Sequence, residues 1–176
     1  MNAVELQTLA NVAEILGGAA VVGGVVFAVW QIRQFRQQRR DVAAIEIVRS
    51  LQSREFIEAF RLLSEVPDGV SLKALREMGQ EYADAAIMIG AMGETSGFMV
   101  YRGVASFGVF REQASGLTLA MWKKLRVWVE DVREEQSYDR WVEWWQWLVD
   151  RLREDEVSSG KTEPAYRRLP AWKPRD

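Results

Sequence analysis

Apolar and polar positions along the chain fall into distinct regimes. From Ile15 to Ile32 the sequence ILGGAAVVGGVVFAVWQI runs 18 residues without a charge. As a helix this stretch is about 27 Å long at 1.5 Å per residue, close to the ~30 Å hydrocarbon core of a bilayer. It predicts a transmembrane helix over about residues 12–32. Beyond Ile32 the pattern turns amphipathic. Neither proline nor glycine occurs before Pro67, and Ala44, Ile47, Val48, Leu51, Phe56, Phe60 and Leu63 recur near helical period. One long helix is therefore predicted to leave the span and run to about Ser64. Pro67, Asp68 and Gly69 then predict a turn.

The remaining pattern predicts further helices. Ser71 is placed to cap a short helix over LKALREMGQ. Ala85 to Gly93 is an apolar run too short to span a membrane. It reads as a buried central helix, with Gly90 and Gly93 permitting close contact and Gly103 as its stop. FGVFREQAS predicts a short helix of its own. Gly116 and Thr118 then introduce LAMWKKLRVWVEDVREE, in which Met121, Trp122, Leu125, Trp128, Val129 and Val132 form an amphipathic stripe. A last helix is predicted over YDRWVEWWQWLVDRLRE. Its buried face carries Tyr138, Trp141, Val142, Trp145, Leu148, Val149 and Leu152, with Trp144 at the margin and Trp147 nearly opposite. Pro164, Pro170 and Pro174, with Ser158, Ser159 and Gly160, predict an extended or disordered tail. The fold expected is all-α: one N-terminal transmembrane helix continuing into a small cytoplasmic helical bundle. The boundaries are 1–32, 33–66, 67–154 and 155–176.

Charge adds a direction. Residues 1–32 carry Glu5 and Glu14 and no cation, whereas Arg33, Arg36, Arg39 and Arg40 follow with no anion between them. Arginine beside a span marks the cytoplasmic side, so the N-terminus is expected outside and the C-terminal domain inside. A cleaved signal peptide would begin with positive charge, and this chain begins MNAVELQTLANVAE, which predicts an uncleaved anchor. The alternative is a core helix buried in a soluble protein.

Small residues give the span a pattern. Ala13, Gly17, Ala20, Gly24 and Ala28 are spaced 4, 3, 4 and 4, which keeps them on one face where a second membrane helix can approach closely. That partner is another membrane protein or a second copy of the chain. The arginines are placed to contact lipid headgroups. Trp147, an indole among Arg140, Glu143 and Arg151, and the tail residues Tyr166, Leu169 and Trp172 are the candidate contacts for a partner protein.

The chemistry is bounded by what is missing. The chain has no cysteine and no histidine, which removes thiol nucleophiles, thiolate metal sites and the commonest general base. No phosphate loop, dinucleotide fingerprint, zinc-protease motif or nucleophile elbow occurs. No catalytic residue, cofactor site or metal site is assigned, and the absence of a broad basic face argues against nucleic acid. Glu94, ending the central apolar run, is the one carboxylate with a case for a raised pKa. Its plainer reading is a helix edge facing water. Glu130, Asp131, Glu134 and Glu135 read as a solvated face.

The short span followed by QIRQFRQQ, the stretch LQSREFIEAFRLL, and then VYRGVASFGVFREQ, MWKKLRVWVEDVREE and YDRWVEWWQWLVDRL together resemble an uncharacterised bacterial family, the domain of unknown function DUF4760. Arg102–Gly103, Trp122 and Arg133 are matching features, and the likeness covers most of residues 10–152. The resemblance implies one membrane helix joined to a small cytoplasmic helical domain. It brings no catalytic residues. The tryptophans at 141–147 are richer than the resemblance implies. The function expected is a non-catalytic, membrane-anchored accessory or scaffold subunit. The alternative is a membrane-tethered module sensing a ligand or lipid, with a pocket near Ile87–Met99.

Overall fold

A computed structural model describes the backbone of residues 3–159, 165–168, 170–171 and 173, and the side chains of residues 14, 16–158, 166–167, 170–171 and 173. The described residues are helical or in turns, with no strand among them. The chain divides into two units, Met1–Arg40 and Asp41–Asp176.

The first unit lies within helix α1, Ala3–Ser50. Nothing interrupts its backbone, and its four glycines sit in open space. The long helix expected to reach Ser64 ends instead at Ser50. The sequence Ser50-Leu51-Gln52-Ser53 holds no glycine or proline, but its serines compete with the helix for backbone partners. Ser50 Oγ donates to the Ile47 carbonyl at 2.6 Å. The backbone tightens, with Gln52 N–H donating to Arg49 O at 3.0 Å and Ser53 N–H to Ser50 O at 3.2 Å. Ser53 then caps a new helix, α2 (Arg54–Ser64), by accepting from the Phe56 N–H.

Ser71 caps α3 (Leu72–Met78) by accepting from Ala74 N–H, as its position predicts. A second acceptor comes from far along the chain, Asp131 Oδ2, 2.8 Å from the Leu72 N–H. The turn at Pro67–Gly69 also forms, with Gly69 in the left-handed region at φ 70°. It is held by Gly69 N–H to Lys123 O at 3.1 Å and Val70 N–H to Lys124 O at 3.0 Å.

Helix α4 (Gln80–Tyr101) ends at the expected glycine, Gly103, whose φ is 63°. Helix α5 (Phe107–Gln136) is one unbroken element where two were expected. Gly116 does not stop it, because Phe110, Ala114, Thr118, Met121 and Leu125 continue a single buried stripe through that point. Packing along this stripe outweighs the weak helix preference of one glycine.

The last large helix, α6 (Glu143–Ser159), begins five residues later than expected and ends five residues beyond the expected boundary at 154. Ser137 and Val142, at φ 50° and 46°, take left-handed backbone and enclose a turn over 138–141. Tyr138 is therefore off the helix and 51% exposed. At the other end nothing breaks the helix before Gly160. In the expected extended tail, Ala165–Arg168 forms a single helical turn, α7.

Two cores hold the second unit together. One collects Phe56 and Leu63 of α2, Leu75 of α3, Ile89 of α4, Trp128 of α5 and Trp145 of α6. The other joins Ala44 and Ile47 of α1 to Val100, Phe110, Leu148 and Leu152. The apolar stripe read across residues 44–63 is thus divided between two helices and two cores.

Candidate functional site

The span contributes the first candidate surface. Leu16, Val21, Val22, Val25, Val26, Phe27, Val29, Trp30 and Ile32 are all between 46% and 67% exposed. Covering these side chains is worth on the order of 10 kcal/mol in total at roughly 1 kcal/mol for each half-exposed group. Leu16–Ser50 contains the one stretch, among the described residues, long and apolar enough to cross a membrane, and none of its apolar window is buried. A core helix of a soluble protein is mostly buried, and none of this apolar window is. Gly17 and Gly24 have nothing within 4 Å of a would-be Cβ, and Ala20 and Ala28 are likewise exposed. The side chain of Ala13 lies outside the described residues. The seam is thus an open strip on α1.

Arg33, Arg36, Arg39 and Arg40 are exposed. Arg39 stacks its guanidinium 4.4 Å from the centre of the Phe35 ring, an arrangement that shields part of an exposed aromatic face.

A second surface is aromatic. Trp147, expected to project away from the core, is only part-exposed, because α6 packs against both cores and its presumed outer side meets α4. Its ring is edge-on to Tyr101 at 5.5 Å and lies 6.3 Å from Trp144. Tyr101 stacks on Trp144 at 4.3 Å, and Phe98 meets Trp144 edge-on at 5.9 Å. Phe98 and Tyr101 are the open members, 46% and 53% exposed. The sequence pointed to one indole here, and the structure presents a four-ring patch led by two residues of α4. Of the tail contacts, Tyr166 is 73% exposed, and Leu169 and Trp172 lie outside the described residues.

Glu94 is part-buried and its carboxylate is engaged. Its Oε2 accepts from the Trp144 N–H at 2.8 Å and the Trp145 N–H at 3.2 Å. These are two of the orphan donors in the first turn of α6, which Val142 at the cap position has no side chain to satisfy. Burial pushes the Glu94 carboxyl above its ordinary pKa, against the two amide bonds that favour its anion. Gly93 and Gly97 make the approach possible: a Cβ on either would collide with the Trp145 ring or the Trp144 carbonyl. Glu94 is a cap delivered across the α4–α6 contact.

The acidic group on α5 is likewise engaged in structure. Asp131 caps α3, and Glu135 accepts two parallel bonds from Arg76, each 2.8 Å. Among the described residues no group of three or more potential metal ligands converges.

Cavities are few. Around Met92, Gly93 and Ser96, where a sensing pocket was expected, the free volume is about 20 Å³, room for a single water. A larger cavity of about 260 Å³ touches that stretch only at Ile87. It lies between α3, α4, α5 and the 137–142 turn, with Leu75, Ala83, Trp128, Val132 and Trp141 on its walls.

A family model described as "Domain of unknown function (DUF4760)" matches residues 19–152. The chain belongs to this family. The DUF4760 match takes in most of the exposed apolar run and the arginines and closes at Leu152, the last buried residue of α6. No curated protein and no solved structure matches the chain. The three features that carried the likeness each have structural work in this DUF4760 chain. Gly103 makes the left-handed stop of α4. Trp122 is 6% exposed and meets Trp145 edge-on at 5.1 Å. Arg133 fastens the α5–α6 turn, donating from Nε to the Trp141 carbonyl at 2.9 Å and from an Nη to Gln146 Oε1 at 2.6 Å.

Proposed function

We propose that this DUF4760 chain is a non-catalytic, membrane-anchored accessory or scaffold subunit of a bacterial inner membrane. Its N-terminus lies outside, its helical domain is cytoplasmic, and its arginines sit at the headgroups. The carrying observation is the apolar helix of Leu16 to Ile32, exposed on all sides, ending in four arginines and bearing an open strip of Gly17, Ala20, Gly24 and Ala28. Lipid is the solvent that suits the bulky residues, and the strip suits a second helix at close range. The aromatic patch of Phe98, Tyr101, Trp144 and Trp147 is the surface offered to a partner protein, because large rings with little internal freedom dominate such contacts. The side-chain commitments of Glu94, Asp131 and Glu135 to capping and ion pairing are consistent with a role without catalysis.

The test is purification in mild detergent followed by mass determination in solution. The expected result is an assembly larger than one chain. A monodisperse monomer with no co-purifying protein overturns the reading. So does a chain that is folded, soluble and monomeric without any detergent or lipid.

The second reading, a ligand-sensing module, is supported by one observation, the cavity beside Ile87.

A further inference from the structure

We propose that α1 pairs with α1 of a second copy of this chain, parallel and in register, along two seven-residue series that continue past the span. This deepens the accessory-subunit reading and rests on it for the membrane.

The first series is Gly17, Gly24, Gln31, Gln38 and Ile45, each seven residues after the last. The second is Val21, Ala28, Phe35 and Val42. Interleaved, they give the alternating steps of four and three that place a seam along a helix. No charge occupies either series, although Arg33, Arg36, Arg39, Arg40, Asp41 and Glu46 crowd the same stretch. Charge also bounds the seam: Glu14 stands seven residues before Val21, and Arg49 seven after Val42.

Both series are uncovered. In the first unit every member is exposed, Phe35 at 54%. In the second unit Ala44 and Ile47 of α1 are buried, whereas Val42 and Ile45 stay 57% and 47% exposed. The core takes one side of that segment and leaves these two branched side chains outside. Phe35, Val42 and Ile45 follow the first arginine, so lipid tails are not their solvent, and another protein surface is needed to cover them.

The spacing says what that surface is. A strict repeat of seven drifts about 20° per repeat around a straight helix. A partner stays on the seam by winding with it left-handedly, as a second helix of the same repeat does. A second copy supplies that helix. All copies insert in one direction, so two of them run parallel and their layers meet at equal depth. Gln31 and Gln38 then face themselves, and a glutamine amide both donates and accepts. The charges agree as well. The four arginines fall outside both series, and Glu46, beside Ile45, is paired with Arg49 at 2.6 Å within its own helix.

The chain has no cysteine, so single introduced cysteines report contact without background. Phe35→Cys, Gln38→Cys and Val42→Cys are compared with Gln37→Cys and Arg40→Cys. Each full-length chain is oxidised with copper phenanthroline in isolated membranes of the expressing cell. A disulfide needs its two Cα atoms within about 7 Å. A covalent product of twice the chain mass is therefore expected at positions 35, 38 and 42 and is lost at 37 and 40. All of these side chains are exposed, so the substitutions leave the core of the helical domain intact. Equal dimer yield at every position overturns the proposal, as does no dimer at any. A product joined to a different protein at the seam positions also overturns it and leaves the accessory-subunit reading standing. A chain recovered soluble and monomeric, outside the membrane fraction, removes both.

Discussion

Gly97 of α4 lies against the main-chain carbonyl of Trp144 on α6, with no room between them for a methyl group. Four residues earlier, Gly93 receives the face of the Trp145 ring in the same way. Gly97→Ala therefore forces two helix backbones apart, since a carbonyl cannot rotate aside as a side chain does. The expected loss is about 2–3 kcal/mol, the upper range for overpacking. Gly116→Ala is the contrast. Its site is open, and replacing a helical glycine there adds about 0.5–1 kcal/mol. Chemical denaturation of both variants measures the difference, and equal effects would refute the close approach.

Removing the carboxylate in Glu94→Ala strips the first turn of α6 of its acceptor. A lost helix cap costs about 1–2 kcal/mol. Hydrogen exchange at the Trp144 and Trp145 amides is the specific readout, and both are expected to speed up relative to the amides of α5. Unchanged exchange would show that the cap is not made in solution.

Acid separates the carboxylates by sign. Glu94 titrates above its ordinary value because burial disfavours its charge. Its contribution to stability is fully present below the unfolded pKa and is lost as pH rises through the folded one. Asp68, Glu135 and Glu143 titrate low, chiefly through hydrogen bonds from Lys123, Arg76 and Arg140 respectively. Their contributions are present above the unfolded pKa and are lost as pH falls through the folded one. Carbon-13 titration of the side-chain carboxyls is expected to place Glu94 above the other three. A Glu94 midpoint at or below that of Glu135 refutes the assignment.

Arg133 binds the main-chain carbonyl of Trp141, in the turn, and the side-chain amide oxygen of Gln146, on α6. Arg133→Ala is expected to cost roughly 2 kcal/mol, within the range for hydrogen bonds from charged groups. Arg133→Lys recovers only part of this, since one ammonium lacks the planar fork. Thermal denaturation compares the three chains, and full rescue by lysine would contradict the two-point attachment.

Gly24→Ile places a branched side chain in the middle of the open strip on α1. The helix remains apolar, so under the proposed function insertion is expected to be preserved while the proposed association through this face is lost. Sedimentation in detergent distinguishes the outcomes, and an assembly of unchanged mass would exclude this face as the contact.

The sequence made certain local features plain because their cause is local. Ser71 and Gly103 sit where a cap and a left-handed stop are needed, and Trp145, Leu148, Val149 and Leu152 repeat at helical spacing. Other features depend on partners far along the chain. The break after Ser50 carries no proline or glycine and is decided by two serine side chains. Gly116 looks like a boundary but faces open space inside one continuous stripe. Trp147 reads as outward on an isolated helix, and only the presence of Tyr101 on α4 turns it into a packed ring. Glu94 stands out as a carboxylate beside an apolar run, and nothing local discloses that its acceptor oxygen serves amides fifty residues away.

The first turn of α6 draws its acceptor from α4, and the turn before it is tied by an arginine from α5. Neither support exists until those helices have docked. Among the described helices α6 is also the last long one in chain order, so both of its supports precede it along the chain. A chain interrupted near residue 142 would leave Gly93, Gly97 and Trp122 without the Trp144 and Trp145 surface that covers them, so the other helices carry a groove that only α6 closes.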